Sequence, residues 1–260
     1  MKLGADPEVF LASGKTVLSS IGRVGGTKLA PKQIPTLPTG FTVQEDNVAV
    51  EFGIPPCKTK ADWVFSILTV QEHALKMIES KESDPKFPLK FAQMSCTVFP
   101  RSQLLDPASH IFGCEPDFNA WTGEENISPI PPRPEMRSAG GHIHIETELP
   151  KREVIQAMDL CVGLATLFQD RGKERRKIYG KAGAFRPKSY GVEYRVPSNY
   201  WIFNKNYISN MWDRTFRALE LVESGVNLQL MSHRIQTAIN TDDKDLALYL
   251  MDKYNVNMEL

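Results

Sequence analysis

Cysteine is scarce in this chain. Cys57, Cys96, Cys114 and Cys161 are the only four, and no two form a Cys-x-x-Cys pair. They are too few for a disulfide scaffold, and the expected compartment is a reducing one. An excess of either charge is also lacking: 31 basic residues meet 31 acidic ones, for a formal net charge of zero. No basic surplus is present to neutralise a phosphate backbone or to hold a membrane surface, so neither nucleic acid nor membrane is an expected partner. No stretch approaches the roughly 18 apolar residues of a membrane span, and Met1 to Asp6 carry no signal-like apolar segment. The expectation is a cytoplasmic protein. The phosphate- and nucleophile-binding signatures G-x-G-x-x-G, G-x-S-x-G and H-E-x-x-H are missing, and Gly22-Arg23-Val24-Gly25-Gly26-Thr27-Lys28 lacks the Gly-Lys-Ser/Thr of a P-loop. Rossmann and P-loop enzymes are thereby disfavoured.

Proline is nearly absent from the second half, where only Pro187 and Pro197 of the 18 follow Pro150. Long helices are therefore expected late in the chain, and strands, turns and loops early. At 260 residues, 42% hydrophobic and 24% charged, the sequence is that of a globular protein with a full core. Without a repeat or a linker, one domain over 1–260 is expected.

Alternation predicts a hairpin from Glu8–Ala12 and Thr16–Ser20, and a second from Phe41–Gln44 and Val48–Phe52 about a turn at Glu45-Asp46-Asn47. Further extended segments are Phe91–Phe99, Ser138–Glu148 and Tyr190–Val196. Thr59 with Asp62 forms a capping box for a helix carrying Val64, Ile67, Leu68, Leu75 and Ile78. A second helix starts at Pro150, a third runs over Lys205–Glu223 to a stop at Gly225, and Asp242 caps a short last helix. The pattern implies an α+β fold with a largely antiparallel sheet.

Residues two apart on a strand share a face. Glu51 then lies opposite in facing to Val50 and Phe52; His142, His144 and Glu146 share one face while Ile143 and Ile145 take the other; Glu193 and Arg195 oppose Val192, Tyr194 and Val196. If these strands share one sheet, carboxylates, imidazoles and guanidinium groups converge on one polar surface. A solvated sheet face explains Glu51, or Glu193 with Arg195, taken singly. It explains Gly140-Gly141-His142-x-His144 less well, because paired imidazoles beside a flexible glycine pair suit a metal or a polarised substrate. Asp6-Pro7-Glu8 offers two carboxylates to a hard cation, or else a turn. Glu115-Pro116-Asp117 repeats that arrangement in a loop suited to substrate or nucleotide. The basic segment Arg171–Arg186, which includes Arg176, Lys181 and Arg186 among glycines, calls for an anionic partner.

Taken together, Gly4-Ala5-Asp6-Pro7-Glu8, the Asp46–Glu51 segment, Gly140-Gly141-His142-Ile143-His144, Tyr179–Arg186 and Tyr190–Asn199 resemble the phage-encoded carboxylate–amine ligases (COOH·NH2 ligase type 2). These are distant relatives of glutamine synthetase and glutamate–cysteine ligase. The likeness runs from about Leu3 to Trp201. It implies a glutamine synthetase-like catalytic fold, a curved, mainly antiparallel sheet with helices on its convex face that holds ATP and Mg²⁺ or Mn²⁺, and amide or peptide bond formation through an acyl phosphate. It implies metal ligands at Glu8, Glu51, His142 and Glu193, with His144 the alternative imidazole. Arg195, Glu193 and Arg186 are the implied catalytic groups. Lys181, Arg186, Arg176 and His144 are the implied ATP contacts, and Glu115, Asp117 and Asn199 the implied substrate contacts. The substrates would be a small-molecule or peptide carboxylate and an amine, and a homo-oligomer is compatible with the resemblance. Two other functions fit the same residues: a zinc hydrolase using His142, His144 and Glu146, and a non-catalytic nucleotide-binding phage protein. Zinc content separates the first from a ligase, and nucleotide binding without turnover marks the second.

Overall fold

The computed structural model describes residues 1–80, 88–111, 116–127 and 130–256. In chain order the strands are β1 (Leu3–Ala5), β2 (Glu8–Ser13), β3 (Thr16–Leu18), β4 (Lys32–Gln33), β5 (Thr42–Asp46), β6 (Ala49–Gly53), β7 (Leu89–Ala92), β8 (Cys96–Val98), β9 (Phe118–Asn119), β10 (Met136–Ser138), β11 (Ile143–Glu146), β12 (Ala184–Lys188) and β13 (Gly191–Tyr194). The helices are α1 (Lys60–Glu79), α2 (Lys151–Met158), α3 (Leu164–Gln169), α4 (Lys173–Ile178), α5 (Lys205–Glu223), α6 (Ser232–Thr241) and α7 (Lys244–Lys253). No helix among the described residues is long and apolar enough to cross a membrane.

The fold is α+β, with strongly curled antiparallel sheet and helices. Among the described residues one sheet has the order β1-β11-β13-β12-β9 and another the order β3-β2-β6-β5-β4, with β7 also paired to β2; β8 and β10 form a separate ribbon. The expectation of one sheet is thus corrected to two that meet where β1 runs on into β2. Asp6 and Pro7 make that passage, and the Phe52 amide donates to the Pro7 carbonyl at 3.2 Å. Proline has no amide to place in a ladder, so the break in pairing falls there without stranding a donor.

Helices cover the apolar side. In α1, Thr59 accepts from the Asp62 amide as N-cap, and Trp63, Ile67, Val70, Ala74 and Ile78 recur at helical spacing and are buried. Trp63 stacks on Trp201 with centroids 5.4 Å apart. Its indole donates to the Ile208 carbonyl at 2.9 Å, which ties α1 to α5. The Lys205–Glu223 helix forms over the expected residues, capped by Asn204 and followed by Gly225 at φ 75°.

Four local expectations change. The second hairpin turns at Asn47 and Val48, with Asn47 at φ 52°, so Asp46 belongs to the strand. Phe91–Phe99 and Ser138–Glu148 are each broken, and their halves join different sheets. The Pro150 helix, whose N-cap is Pro150 itself, is interrupted over Asp159–Gly163 by a π-turn that lets Asp159 meet Trp121 and Tyr194. Asp242 closes α6 in the left-handed conformation, and Asp243 caps α7.

Candidate functional site

Strand register builds the site. Gly4, His144, Glu193 and Arg186 are paired in one row across β1, β11, β13 and β12. Two residues along each strand, on the same face, come Asp6, His142, Arg195 and Ala184, where the Arg195 amide donates to the Ala184 carbonyl at 3.0 Å. The opposite face carries Ile143, Ile145, Val192 and Tyr194, all buried against the helices. Alternation therefore places the two histidines, Glu193 and Arg195 on one surface, as the sequence implied. The Gly140-Gly141 pair permits the close approach foreseen for it. A Cβ on Gly141 would lie 2.4 Å from both the Ser198 carbonyl oxygen and Trp201 Nε1, so no larger residue fits.

Within this surface, Asp6 Oδ1 lies 3.0 Å from His144 Nε2 and 3.5 Å from His142 Nδ1. Glu193 Oε1 is 3.7 Å from His142 Nδ1, is 3.4 Å from Arg186 Nη1, and accepts a hydrogen bond from Arg195 Nη1. Lys188 Nζ reaches the other Glu193 oxygen at 2.9 Å. Arg195 also holds Asp117 through Nε at 3.3 Å. The Tyr190 hydroxyl pairs with His144 Nδ1, which aims Nε2 of the same ring at Asp6.

Charge follows from these neighbours. Burial works against an ionised Asp6, but His144 and His142 outweigh it and hold the carboxyl well below its usual range. Burial and Asp6 likewise oppose ionisation of Glu193, yet the Arg195, His142 and His144 charges bring it down to about 2. His142, buried and beside Arg195, is pushed down to about 4 and is neutral at neutral pH. His144 loses to burial but gains more from Asp6, and its affinity for a proton is raised.

A second polar surface comes from β2, β5 and β6. Glu8 stands directly opposite Glu51, and Glu51 opposite Gln44, whose Nε2 donates to Glu51 Oε2 at 2.9 Å. Asp46, two residues beyond Gln44, shares their face. Burial and then Asp46 push Glu8 up to about 7. Glu51 rises well above its usual range from burial, Asp6, Asp46 and Glu8 in turn. Burial is the first cause of both shifts, and neighbouring carboxylates add to it: Asp46 for Glu8, and Asp6, Asp46 and Glu8 for Glu51. Glu8 is anchored all the same: Oε2 accepts from the Gly140 amide at 2.7 Å, and its own carbonyl accepts from Asn199 Nδ2 at 2.8 Å.

Glu8, Asp46, His142 and Arg195 line one wall of a cavity of about 420 Å³. Phe10, Ile21, Val48, Met136 and Ile178 give it an apolar side, and Lys28, Arg137 and Arg175 bring further cations. The size and mixed lining suit a small-molecule ligand.

Not every implied residue stands here. Arg176 is buried between Asp170 (3.5 Å) and Asp242 (2.7 Å), a clamp joining the ends of α3 and α6. Lys181 is exposed in the turn before β12. Glu146 pairs with Lys2 at 2.8 Å at the sheet edge. Asn199 acts on backbone, on the Glu8 and Met94 carbonyls. Glu51, Glu193, Arg186 and His144 lie outside the cavity lining, behind or beside Arg195 and Glu8. Glu115 lies outside the described residues. Arg175, adjacent to Arg176 within the basic segment Arg171–Arg186, lines the cavity and donates to the Val196 and Arg195 carbonyls at 2.9 and 3.3 Å. Asp46 was missed because it was placed in a turn. Lys188 follows Arg186 by two on one strand, and that spacing alone could have found it.

Among the described residues, Asp6, His144 and Glu193 form a group whose ligand atoms all lie within 4.8 Å of one another. The buried atoms Asp6 Oδ1, His144 Nε2 and Glu193 Oε2 lack well-directed hydrogen bonds. Two carboxylate oxygens and an imidazole nitrogen fit a divalent cation of the magnesium or manganese type.

Residues 134–246 match the family model described as "Phage phiEco32-like COOH.NH2 ligase-type 2". This is the family whose resemblance the motifs carry, and the matched segment spans β10 to the start of α7, including both histidines, Arg175, Glu193 and Arg195. No curated protein matches the chain.

Proposed function

We propose that this protein is an ATP-dependent carboxylate–amine ligase acting through an acyl phosphate, on a glutamine synthetase-like arrangement of curled sheet and carboxylates. The observation that supports it most is the cluster of Asp6, His144 and Glu193, whose ligand atoms lie within 4.8 Å of one another and which His142 and Arg195 join to a cavity presenting carboxylates and guanidinium groups. A carboxylate does not acylate an amine at neutral pH, so one oxygen must first be made into a leaving group. In the proposed reaction a substrate carboxylate oxygen attacks the γ-phosphorus of ATP and ADP departs. The free amine then attacks the acyl carbon, phosphate leaves, and a proton is released.

The residues of this chain serve that sequence by charge and position. Arg195 stands on the cavity wall with its guanidinium fixed by Glu193 and Asp117, pre-aimed at an anion. Arg175 fixes the carbonyls on either side of that strand end, so the Arg195 backbone cannot drift. Developing charge on transferring phosphoryl oxygens is stabilised by such pre-set groups at little reorganisation cost. A magnesium or manganese ion held by Asp6, His144 and Glu193 would supply further neutralisation of phosphate oxygens, and Glu8, Glu51 and Asp46 offer a second set of oxygen ligands. The substrates are a small carboxylate or peptide end and an amine, within the cytoplasm.

The test is ADP release with Mg²⁺ and a matrix of amino acids, peptides and amines, wild type against Asp6→Asn. Turnover that needs both a carboxylate and an amine, and that falls about a hundredfold or more in Asp6→Asn, supports the reading. Tight stoichiometric zinc with no nucleotide turnover would instead favour hydrolase chemistry at the same histidines.

A further inference from the structure

The segment Gly22–Lys28, which is no P-loop, is nonetheless built around an anion. The amides of Gly22, Val24 and Gly25 all donate to one oxygen of Glu45, at 3.0, 3.2 and 2.7 Å. Successive amides turned inward in this way form an anion-binding concavity, and here the chain's own carboxylate fills it. The loop is pressed down behind that contact. Gly26 sits at φ 83°, where an added Cβ would lie 2.8 Å from the Lys32 amide nitrogen and 2.9 Å from the Val43 carbonyl oxygen. Thr27 and Ala30 then exchange backbone hydrogen bonds at 3.1 and 3.0 Å, which leaves Lys28 and Leu29 as a two-residue tip. Gly26, Thr27 and Lys28 line the cavity.

Four Lys and Arg side chains line that cavity, and three are committed elsewhere. Arg195 is held by Glu193 and Asp117. Arg175 is held by two carbonyls. Arg137 is held by Asn47 and by the Pro134, Met136 and Ser109 carbonyls. Lys28 alone of the four has no hydrogen bond or ion pair among the described residues. Lys28 and Asp46 line the same cavity, and after burial Lys28 is the strongest charge acting on Asp46.

We propose that Lys28 is a substrate-binding residue that meets the polyphosphate of the bound nucleotide, and that Glu45 is the positioning residue that holds the Gly22–Lys28 loop over the cavity for it. The identity of the anion rests on the ligase reading; the placement of Lys28 does not. A mobile ammonium suits a tail that changes length on transfer, whereas the fixed guanidinium groups suit a constant part. Glu45 acts through the backbone amides of the loop.

The test is isothermal titration of the full chain with inorganic tripolyphosphate. Expected is binding by the wild type, weakened about tenfold or more in Lys28→Ala and largely kept in Lys28→Arg. Glu45→Ala should weaken it comparably, with Glu45→Gln restoring much of the loss, since an amide oxygen still accepts from the three amides. Unaltered thermal unfolding of Lys28→Ala, an exposed tip residue, checks that the fold is intact. Absence of binding by the wild type, or equal affinity of Lys28→Ala, overturns the proposal. Tripolyphosphate binding with this mutant pattern but no ligase turnover upholds it and removes the ligase reading; turnover with an indifferent Lys28→Ala does the reverse.

Discussion

Glu8 and Glu51 face each other directly across an antiparallel pair, two carboxylates in register on the same half-buried face. Like charges so placed oppose folding, by roughly 0.2 to 1 kcal/mol for an ordinary cross-strand pair and more out of water. Glu51→Gln should therefore stabilise the protein in the presence of a chelator, by about 1 kcal/mol, while retaining the Gln44 hydrogen bond. Added Mg²⁺ or Mn²⁺ should raise the melting temperature of the wild type more than that of the variant. Thermal unfolding with and without cation measures both, and a destabilised Glu51→Gln in chelator contradicts the repulsion.

Glu193 holds Arg195, Arg186 and Lys188 at once. Removing its charge strands buried cations, so Glu193→Gln should lose about 3 to 5 kcal/mol of stability as well as any activity. Asp6→Asn removes a half-buried carboxylate that His144 and His142 hold ionised, and should cost less stability than Glu193→Gln while losing Mn²⁺ affinity. Urea titrations combined with manganese binding separate the two. Equal destabilisation by both substitutions contradicts this division.

Arg176 between Asp170 and Asp242 gives a third expectation. Arg176→Ala leaves Asp170 buried without its cation and should cost about 3 kcal/mol or more. Tripolyphosphate affinity measured well below the melting temperature should stay within about twofold of wild type. A tenfold loss of affinity in a folded variant would put Arg176 at the ligand after all.

Asp159 carries a pH dependence. Burial raises its carboxyl from 3.8 to about 7, against the pull of hydrogen bonds from Trp121 and Tyr194. The folded state thus binds the proton more tightly than the unfolded state. Its contribution is fully present below about pH 4 and is lost as pH rises to about 7, a loss on the order of 4 kcal/mol. Relative to wild type, Asp159→Asn should be more stable at pH 8 than at pH 5, as read from urea midpoints. Parallel profiles for the two proteins defeat the assignment.

Much of this was legible in residues two apart. Ile143 and Ile145 against His142 and His144, and Val192 and Tyr194 against Glu193 and Arg195, declare both the core face and the polar face. Helices α1 and α5 are announced by Thr59 with Asp62 and by the stop at Gly225. What the pattern does not carry is pairing. Glu8 and Glu51 belong to a different sheet from Glu193, because the chain changes sheets at Pro7, and nothing in local alternation marks a change of partner. Turn position was equally hidden: Asn47, a non-glycine residue at φ 52°, moved the turn by a residue and placed Asp46 on the polar face. Arg175 and Arg176 are adjacent in sequence and charge, and only tertiary contacts assign one to the cavity and the other to a clamp.

The segment that carries Asp6 and Glu8 finds its partners far along the chain. Gly140 binds the Glu8 carboxylate and Asn199 the Glu8 carbonyl, so during synthesis Glu8 waits for 191 further residues before both partners exist. Such non-local closure slows folding. Nascent chains that stop short of Asn199 lack the contact that fixes the Glu8 backbone, and ligand capture should appear as a single event that follows synthesis of that residue.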